Sequence, residues 1–200
     1  MSLLKIARMG HPVLRQVAAP VPDPTDPVIR RLVHDMVETM GDAGGVGLAA
    51  PQVHSSLRVI VFQVPDARRN PGEPDGPTGM VALINPVIEP VGTQIDYALE
   101  GCLSIPGLRG LVPRHAAIRY TGLTPDGTPM AVAAEGFHAR VVQHEVDHLN
   151  GVLYLDRMHD LSLLAFDTEL SHLVDRVSAL AEAVPPAPPV APDTASPSEG

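Results

Sequence analysis

The sequence predicts an α+β domain, because helix-type and strand-type patterns are interleaved along one chain. Apolar residues at helical spacing occupy about 28–40 and 136–149, whereas runs rich in β-branched residues occupy Leu57–Val64 and Met80–Val91. Spacings of three and four indicate a buried helix face, and short β-branched runs bounded by turn residues indicate strands. We therefore expect mostly antiparallel sheets packed around the second, central helix, with another helix near the C-terminus.

Composition indicates a single globular domain in the cytoplasm. The 200 residues suit one core, and an apolar fraction of 44% is enough to build it. The formal net charge of −9 argues against a nucleic-acid or membrane partner, since both need a basic face. Cys102 is the sole cysteine, which excludes an internal disulfide and fits a reducing compartment. We find neither a signal-peptide pattern nor a long apolar run, so we expect no membrane span.

The first half of the chain is predicted to form an arm, a helix and two strands. After the arm, Asp26 is a suitable N-cap, and Pro27 suits the first helical position because it lacks an N–H. Apolar positions continue to Met40, where the glycine-rich stretch 41–45 ends the helix. The two β-branched runs flank residues 65–79, whose proline, glycine and charged residues predict an exposed loop.

The second half is predicted to contain a hairpin and two helices. Strands at Ala116–Tyr120 and Met130–Ala134 flank the turn signal Pro125-Asp126-Gly127, and the central helix follows until Gly151. Apolar residues then recur every three or four positions from Leu163 to Val184, which predicts an amphipathic helix over 159–184. Residues 185–200 are mainly proline, alanine and serine and predict a disordered tail, so the domain itself is expected to span 1–158.

The segment Gln143-His144-Glu145-Val146-Asp147-His148 carries the chemistry. Positions i and i+4 share a helix face, so His144 and His148 are placed to bind one metal ion, with Glu145 beside them as a proton acceptor. A catalytic site of this kind needs a third protein ligand. A metzincin arrangement would need a histidine at 154, where the chain has Tyr154, whereas Glu169 and Cys102 are the other candidates.

Three segments together resemble the motifs of the peptide deformylase family. They are Gly45-Val46-Gly47-Leu48-Ala49-Ala50-Pro51-Gln52, Glu100-Gly101-Cys102-Leu103-Ser104 and the histidine segment above, in the family's order and rough spacing. The opening Gly10-His11-Pro12-Val13-Leu14-Arg15 is also similar to that family's N-terminal arm. The resemblance covers about residues 3–158.

The resemblance implies a metal-dependent hydrolase that removes the N-formyl group from the N-terminal methionine of newly made polypeptides and releases formate. Cys102, His144 and His148 would bind one divalent metal, commonly Fe²⁺, with Zn²⁺, Ni²⁺ or Co²⁺ able to replace it. Glu145 would take a proton from water at the fourth position. The Gln52 amide and the Leu103 N–H would stabilise the oxyanion.

Further residues are implied in substrate binding. Gly45, Val46 and Gly47 would accept the nascent peptide as an added strand, because glycines allow close backbone approach. The methionine side chain would lie among Val46, Leu103 and Val141. Glu100 and Gly101 are also placed in the substrate site, and we expect Glu100 to pair with Arg109 or Arg114. For Asp147, orientation of a histidine and a solvated position remain equally open.

Two features depart from the family's pattern. Arg140 lies where some members have an aliphatic residue in the methionine pocket, and we expect its stem to pack there while its charge reaches water. Some relatives dock on the ribosome through a basic C-terminal helix. Here the segment 161–184 is acidic, so transient proximity to the ribosome is expected without direct binding of nucleic acid.

Two other functions remain open at this point. One is a metallopeptidase that cleaves internal amide bonds, and a Cys102→Ser variant with full metal occupancy would favour a ligand set other than the one proposed. The other is a catalytically silent module that binds N-termini. Such a module is expected to have lost Glu145 or a metal ligand, and this chain retains them all.

Overall fold

The computed structural model describes residues 2–68 and 79–174, which form an α+β fold with antiparallel sheets, as predicted. The helices are α1 (Pro27–Asp42), α2 (Gly136–Leu149) and α3 (Tyr154–Arg157). The strands are β1 (Gly47–Ala49), β2 (Val59–Gln63), β3 (Met80–Pro90), β4 (Ile95–Cys102), β5 (Ile105–His115), β6 (Ala117–Leu123), β7 (Pro129–Glu135) and β8 (Leu164–Phe166). Short 3-10 helices lie at Pro12–Arg15, Ala50–Val53, Asp66–Arg68, Leu161–Leu163 and Asp167–His172.

Five strands, in the order β1-β2-β3-β6-β7, form a sheet that is covered on both faces. Strand β2 illustrates how burial on both faces of the sheet requires an apolar sequence. Its alternate residues Ile60 and Phe62 pack toward α2, whereas Val59 and Val61 pack toward α1. A strand buried on both faces needs a continuous apolar run, so the predicted strand at Leu57–Val64 is confirmed in a slightly shorter form.

Helix α1 begins as the sequence predicts. The Asp26 carboxylate accepts a hydrogen bond of 2.8 Å from the N–H of Val28, and Pro27 occupies the first turn. The helix continues two residues past Met40 and ends at Asp42. Its buried face includes Ile29, Val33, Met36 and Met40, which hold the helix against the sheet.

Helix α2 is central, as predicted, and every residue from His138 to Leu149 is buried. One side packs on the five-stranded sheet, and the other faces a second sheet with the strand order β4-β5-β8. Gly151 ends this part of the chain with a φ of 73°, a left-handed conformation that favours glycine. Because this helix has no solvent-exposed face between His138 and Leu149, its polar side chains must find hydrogen-bond partners within the protein. These hydrogen bonds form the site described below.

The segment after α3 differs from the continuous helix predicted over 159–184. Residues 161–163 and 167–172 form 3-10 helices, and between them β8 pairs with β5 through Leu108↔Phe166 and Arg109↔Ala165. The rest of the predicted helix from 175, the predicted tail at 185–200 and the predicted loop at 69–78 lie outside the described residues. None of the helices in the described part of the chain has the length and apolar character needed to cross a lipid bilayer.

Candidate active site

The predicted metal ligands come together where α2 meets the end of β4. His144 and His148 lie one turn apart on α2, with ring centroids 5.0 Å from each other. A tight connection between β4 and β5 presents Cys102, whose Sγ is 3.3 Å from His148 Nε2. Among the described residues, one ligand atom from each of these three side chains lies within 4.8 Å of the others. The structure therefore brings together Cys102, His144 and His148, the three residues predicted as metal ligands.

Neither alternative to Cys102 supplies a third ligand. Tyr154, which stands where a metzincin would have a histidine, stacks on His144 with a centroid distance of 6.2 Å, and its hydroxyl donates to the carbonyl oxygen of Leu108. Glu169 is exposed on the last 3-10 helix, where its carboxylate is 3.7 Å from His172. Among the described residues, Glu169 does not belong to the cluster formed by the cysteine and two histidines.

Glu100 orients the first histidine. The Nδ1 of His144 and a Glu100 oxygen are 2.8 Å apart, so an Nδ1–H donor leaves Nε2 free as a metal ligand. Glu100 also accepts two hydrogen bonds of 2.9 Å from Arg114, which selects Arg114 over Arg109 as its predicted partner. Arg109 pairs instead with Asp167 at 2.6 Å. Glu100 is thus a buried support for the ligand, although it also lines the cleft described below.

Arg140 and Asp147 occupy positions that the sequence did not predict. The Arg140 side chain lines the cleft, but it is only 7% exposed, and its guanidinium donates to Glu100 and to the carbonyl oxygens of Val112 and Asp96 instead of reaching bulk water. Asp147 neither orients a histidine nor faces solvent. It is buried and accepts from Arg114 and Arg157. Both departures arise because a fully buried helix requires a partner for each charge.

Gln52 is held in one orientation. Its Oε1 accepts a hydrogen bond of 2.8 Å from the N–H of Ala49, which directs the amide Nε2 toward Cys102 Sγ at 3.4 Å and Ser104 Oγ at 3.2 Å. The Ser104 N–H also donates to Cys102 Sγ at 3.4 Å. The sequence reasoning assigned no role to Ser104, although the residue closes the motif that contains Cys102.

Glu145 lies against the backbone of β1. A Cβ placed on Gly47 would be 2.1 Å from Glu145 Oε1, so only glycine fits at this position. The other oxygen, Oε2, is buried and has no hydrogen-bond partner within the described structure. A buried carboxylate oxygen without a protein partner is rare in structural sites and common where a reacting molecule must be met.

Burial and neighbouring charges shift the pKa values of the site. Burial raises the pKa of Glu145 to about 7, against the opposing influence of the two histidines. Burial disfavours the Cys102 thiolate, but His148 and His144 outweigh it and hold the Cys102 pKa well below its ordinary value. Burial likewise opposes protonation of His144, yet contacts with Cys102 and Glu100 raise its pKa well above the ordinary value. The cluster therefore favours an ionised thiol, which is the form that binds metals.

A cleft of about 580 Å³ opens onto this cluster. Its lining includes the predicted catalytic residues Gln52, Leu103 and Glu145, together with Cys102 and His144. All the predicted substrate-binding residues also line it: Gly45, Val46, Gly47, Glu100, Gly101 and Val141. The sequence analysis did not predict Phe137 as a site residue. Its ring forms part of the cleft wall, and the Arg68 guanidinium lies over that ring, 4.7 Å from the ring centroid.

The donor set fits a divalent metal of the first transition row. A thiolate and two imidazoles are the ligands that borderline metals prefer, and three protein ligands leave a position for water or substrate. The separation of the donors and the histidine held by Glu100 agree with this chemistry. The described residues therefore contain the predicted Cys-His-His cluster.

An open three-ligand site beside a buried glutamate, within an α+β fold, defines the class as metal-dependent hydrolases. Comparison with known families gives the particular one, because the profile described as polypeptide deformylase matches residues 3–163. The chain belongs to this family, and it is a hydrolase that removes the formyl group from protein N-termini. The family, the fold class and the enzymatic activity predicted from sequence are therefore confirmed.

Individual relatives agree with this assignment. The chain is 51% identical over 162 residues to "Peptide deformylase 1" of Bordetella pertussis, covering 80% of this chain and 90% of that protein. It is 49% identical over 168 residues to "Peptide deformylase 1" of Xanthomonas campestris, covering 84% and 97%. Among solved structures, the Met-Ala-Ser-bound class I type b peptide deformylase of Acinetobacter baumannii is 39% identical with a TM-score of 0.70, covering 78% of this chain and 99% of that one.

Proposed function

We propose that this hydrolase acts on the N-formylmethionine of newly made polypeptides, with Cys102, His144 and His148 as metal ligands and Glu145 as the general base. The observation that carries the proposal is the buried Glu145 carboxylate, whose Oε2 has no partner among the described residues, in the same cleft as the Cys-His-His cluster. A base that must collect a proton from a reacting water needs a free oxygen at that place.

The metal is proposed to be Fe²⁺, with Zn²⁺, Ni²⁺ or Co²⁺ able to substitute. When bound, the ion supplies a positive centre that lowers the pKa of water and polarises the formyl carbonyl. Cys102 would hold that centre through its thiolate, and His144 and His148 would hold it through neutral imidazoles. Glu100 fixes the first imidazole through its Nδ1 contact of 2.8 Å, and Arg114 keeps Glu100 in place.

Glu145 moves the proton in both halves of the reaction. It takes a proton from water as the water oxygen bonds to the formyl carbon, and it gives that proton to the departing amine nitrogen as the C–N bond breaks. The products are formate and a free N-terminal methionine. Burial raises the pKa of Glu145 above its ordinary value, which strengthens the carboxylate as a proton acceptor.

Gln52 and the Leu103 N–H are proposed to stabilise the oxyanion that forms on the formyl oxygen. The Gln52 amide is already aimed at the Cys102 side of the cleft, because Ala49 fixes its carbonyl end. A carboxylate at this position would repel the oxyanion, whereas a neutral amide donates to it. One donor of this kind typically lowers the barrier by about 2.7–4 kcal/mol.

The substrate backbone is proposed to bind along β1. This strand lies at the edge of its sheet, so one row of its peptide groups is not paired with another strand of that sheet. Gly45, Val46 and Gly47 line the cleft there, and Glu100 and Gly101 line the facing side on β4. Pairing through the backbone fits an enzyme that must accept many N-terminal sequences.

The first side chain of the substrate is proposed to enter an apolar part of the cleft. Val46, Leu103 and Val141 form this part, beside Phe137. The Acinetobacter baumannii relative, whose structure contains bound Met-Ala-Ser, supports a site for a peptide that begins with methionine.

The reaction is proposed to take place in the cytoplasm close to ribosomes, where nascent chains emerge. The presence of a single cysteine agrees with a reducing compartment.

The central test is release of formate from formyl-Met-Ala-Ser by protein purified without oxygen, with the bound metal identified by elemental analysis. We expect rapid release by the wild type. In a Glu145→Gln variant that retains full metal content, we expect a loss of at least about 100-fold, because the amide has the carboxylate's shape but cannot accept the proton. Comparable rates in the two proteins would remove Glu145 from the proposed role.

Three further measurements test the competing functions and the ligand set. Acetyl-Met-Ala-Ser and an internal peptide bond should resist hydrolysis, and cleavage of the internal bond would favour a metallopeptidase. Absence of formate release from a fully metallated wild type, combined with retention of the peptide, would favour a binding module. A Cys102→Ser variant should lose metal affinity, and unchanged occupancy would contradict the ligand set.

A further inference from the structure

The mouth of the cleft carries an excess of positive charge, although the chain as a whole has a formal net charge of −9. Arg8, Arg68 and Arg109 line the cleft and are exposed or half-exposed. Asp167 is the one exposed carboxylate among the described lining residues, since the others, Glu100 and Glu145, are only 6% and 4% exposed. The distribution of charge therefore favours an anionic group at the entrance.

Arg8 is held at this entrance by the backbone on both sides of it. The N–H of Ala7 donates to the carbonyl oxygen of Gln52 at 2.7 Å, and the N–H of Met9 donates to that of Ser104 at 2.9 Å. The Arg8 guanidinium itself donates to the Leu103 carbonyl oxygen at 2.7 Å. The N-terminal arm thus fixes one cationic side chain directly beside the residues proposed to bind the formyl group.

Arg8 retains unused capacity for an anion. Its guanidinium donates to a neutral carbonyl, and within the described residues no carboxylate lies within salt-bridge distance of it. A guanidinium has five N–H donors, so a bond to one carbonyl leaves donors for a carboxylate. Arg109 differs, because β8 pairs with β5 and brings Asp167 to 2.6 Å from it. Asp167 therefore neutralises part of the charge at the entrance.

We propose that Arg8 is a specificity-determining residue that favours substrates with an acidic side chain shortly after the formylmethionine, and that Asp167 limits this preference. The inference rests on the deformylase activity described above. The acidic group is expected at the second, third or fourth residue, because an extended peptide that leaves the site passes along the cleft lining. Arg8 acts on substrate capture, and the proton transfer by Glu145 does not depend on it.

The test compares kcat/KM for amidated peptides formyl-Met-Ala-X-Ala in which X is Glu, Gln or Lys, with X also placed at the second and fourth positions. We expect the wild type to favour Glu over Gln by two- to fivefold at its best position, mainly through KM, as is usual for exposed charge pairs. The ratio should fall toward one in Arg8→Gln and rise in Asp167→Asn. It should also shrink in 0.5 M NaCl, because salt screens exposed charges.

Arg119→Gln is the matched control, because Arg119 is exposed on β6 and does not line the cleft. Its Glu-to-Gln ratio should equal that of the wild type. An unchanged ratio in Arg8→Gln, or an equal loss for all three peptides, would overturn the proposal and leave Arg8 with a purely structural contact to Leu103. Failure of the wild type to hydrolyse even the Gln peptide would instead contradict the proposed function itself.

Discussion

Gly47 determines how closely the backbone of β1 approaches the proposed base. We expect Gly47→Ala to reduce kcat/KM on the order of 100-fold, because the new Cβ would meet Glu145 Oε1 at 2.1 Å and displace the carboxylate. Stability should also fall, because the Cδ and Cγ atoms of the buried Glu145 side chain would lie only 2.7 and 2.9 Å from the new Cβ. Kinetics with formyl-Met-Ala-Ser and a thermal melt of the same metal-loaded sample would measure both effects.

Gly41→Ala is the control for this substitution. A Cβ at Gly41 meets nothing within 4 Å, and the residue lies in α1, where alanine is favoured over glycine by about 1 kcal/mol. We expect unchanged kinetics and equal or greater stability. If Gly47→Ala retained wild-type activity, the carboxylate could be moved without loss and its proposed role would fail.

Individual side chains also show what the sequence could not predict. His144, His148 and Glu145 could be assigned to the candidate site because their spacing on one helix already indicates the chemistry, whereas Cys102 became the expected third ligand only through the family resemblance. Arg140 and Asp147 were misplaced because their partners are distant in sequence: Glu100 lies 40 residues from Arg140, and Arg114 lies 33 residues from Asp147. A charged residue on a predicted helix is normally expected to be exposed to solvent. On α2 the two sheets cover both sides of the helix, so these residues are buried instead.

At the scale of elements, Arg140 connects α2 to both strands that deliver Cys102. Its guanidinium donates to Glu100 and Asp96 on β4 and to Val112 on β5. We expect Arg140→Met to lower the free energy of unfolding by about 3 kcal/mol, because it leaves Glu100 and two carbonyl groups with fewer partners in a buried place. Urea denaturation of metal-loaded protein would measure the difference.

Arg157→Met provides the comparison, because Arg157 also pairs with a buried carboxylate but is itself 45% exposed. Its loss should cost less than about 1 kcal/mol, since water can replace an exposed partner. If both variants lost the same free energy of unfolding, or if Arg140→Met were as stable as the wild type, the free-energy cost of desolvating Arg140 would equal the stabilisation from its hydrogen bonds.

The elements themselves were predicted best where local signals and packing agree. Helix α2 has the predicted bounds, and α1 has the predicted cap, because N-cap and glycine signals act within a few residues. The C-terminal segment differs because its apolar spacing is compatible with more than one structure. Leu164, Ala165 and Phe166 add a strand to the edge of β5, and this pairing depends on a strand more than 50 residues earlier, which periodicity alone does not reveal.

At the scale of the whole molecule, the proposed metal ligands join parts of the chain that also meet through packing and buried ion pairs. Cys102 ends a strand of the three-stranded sheet, whereas His144 and His148 belong to the helix packed on the five-stranded sheet. A ligand that binds the folded state alone stabilises it by about 2.7 kcal/mol when its concentration is 100 times the dissociation constant. Bound metal should therefore stabilise the contact between the two sheets as well as serve the reaction.

We expect removal of the metal with a chelator to lower Tm by roughly 5–10 °C, given that about 1 kcal/mol shifts Tm by about 2–4 °C in a chain of this size. Readdition of metal should restore Tm. Cys102→Ser should melt at one temperature with or without chelator, whereas Glu145→Gln should keep the full shift, because it retains every ligand. An unchanged wild-type Tm, in protein shown to have lost its metal to the chelator, would limit the metal to catalysis and mean that packing and the buried ion pairs hold the sheets together without it.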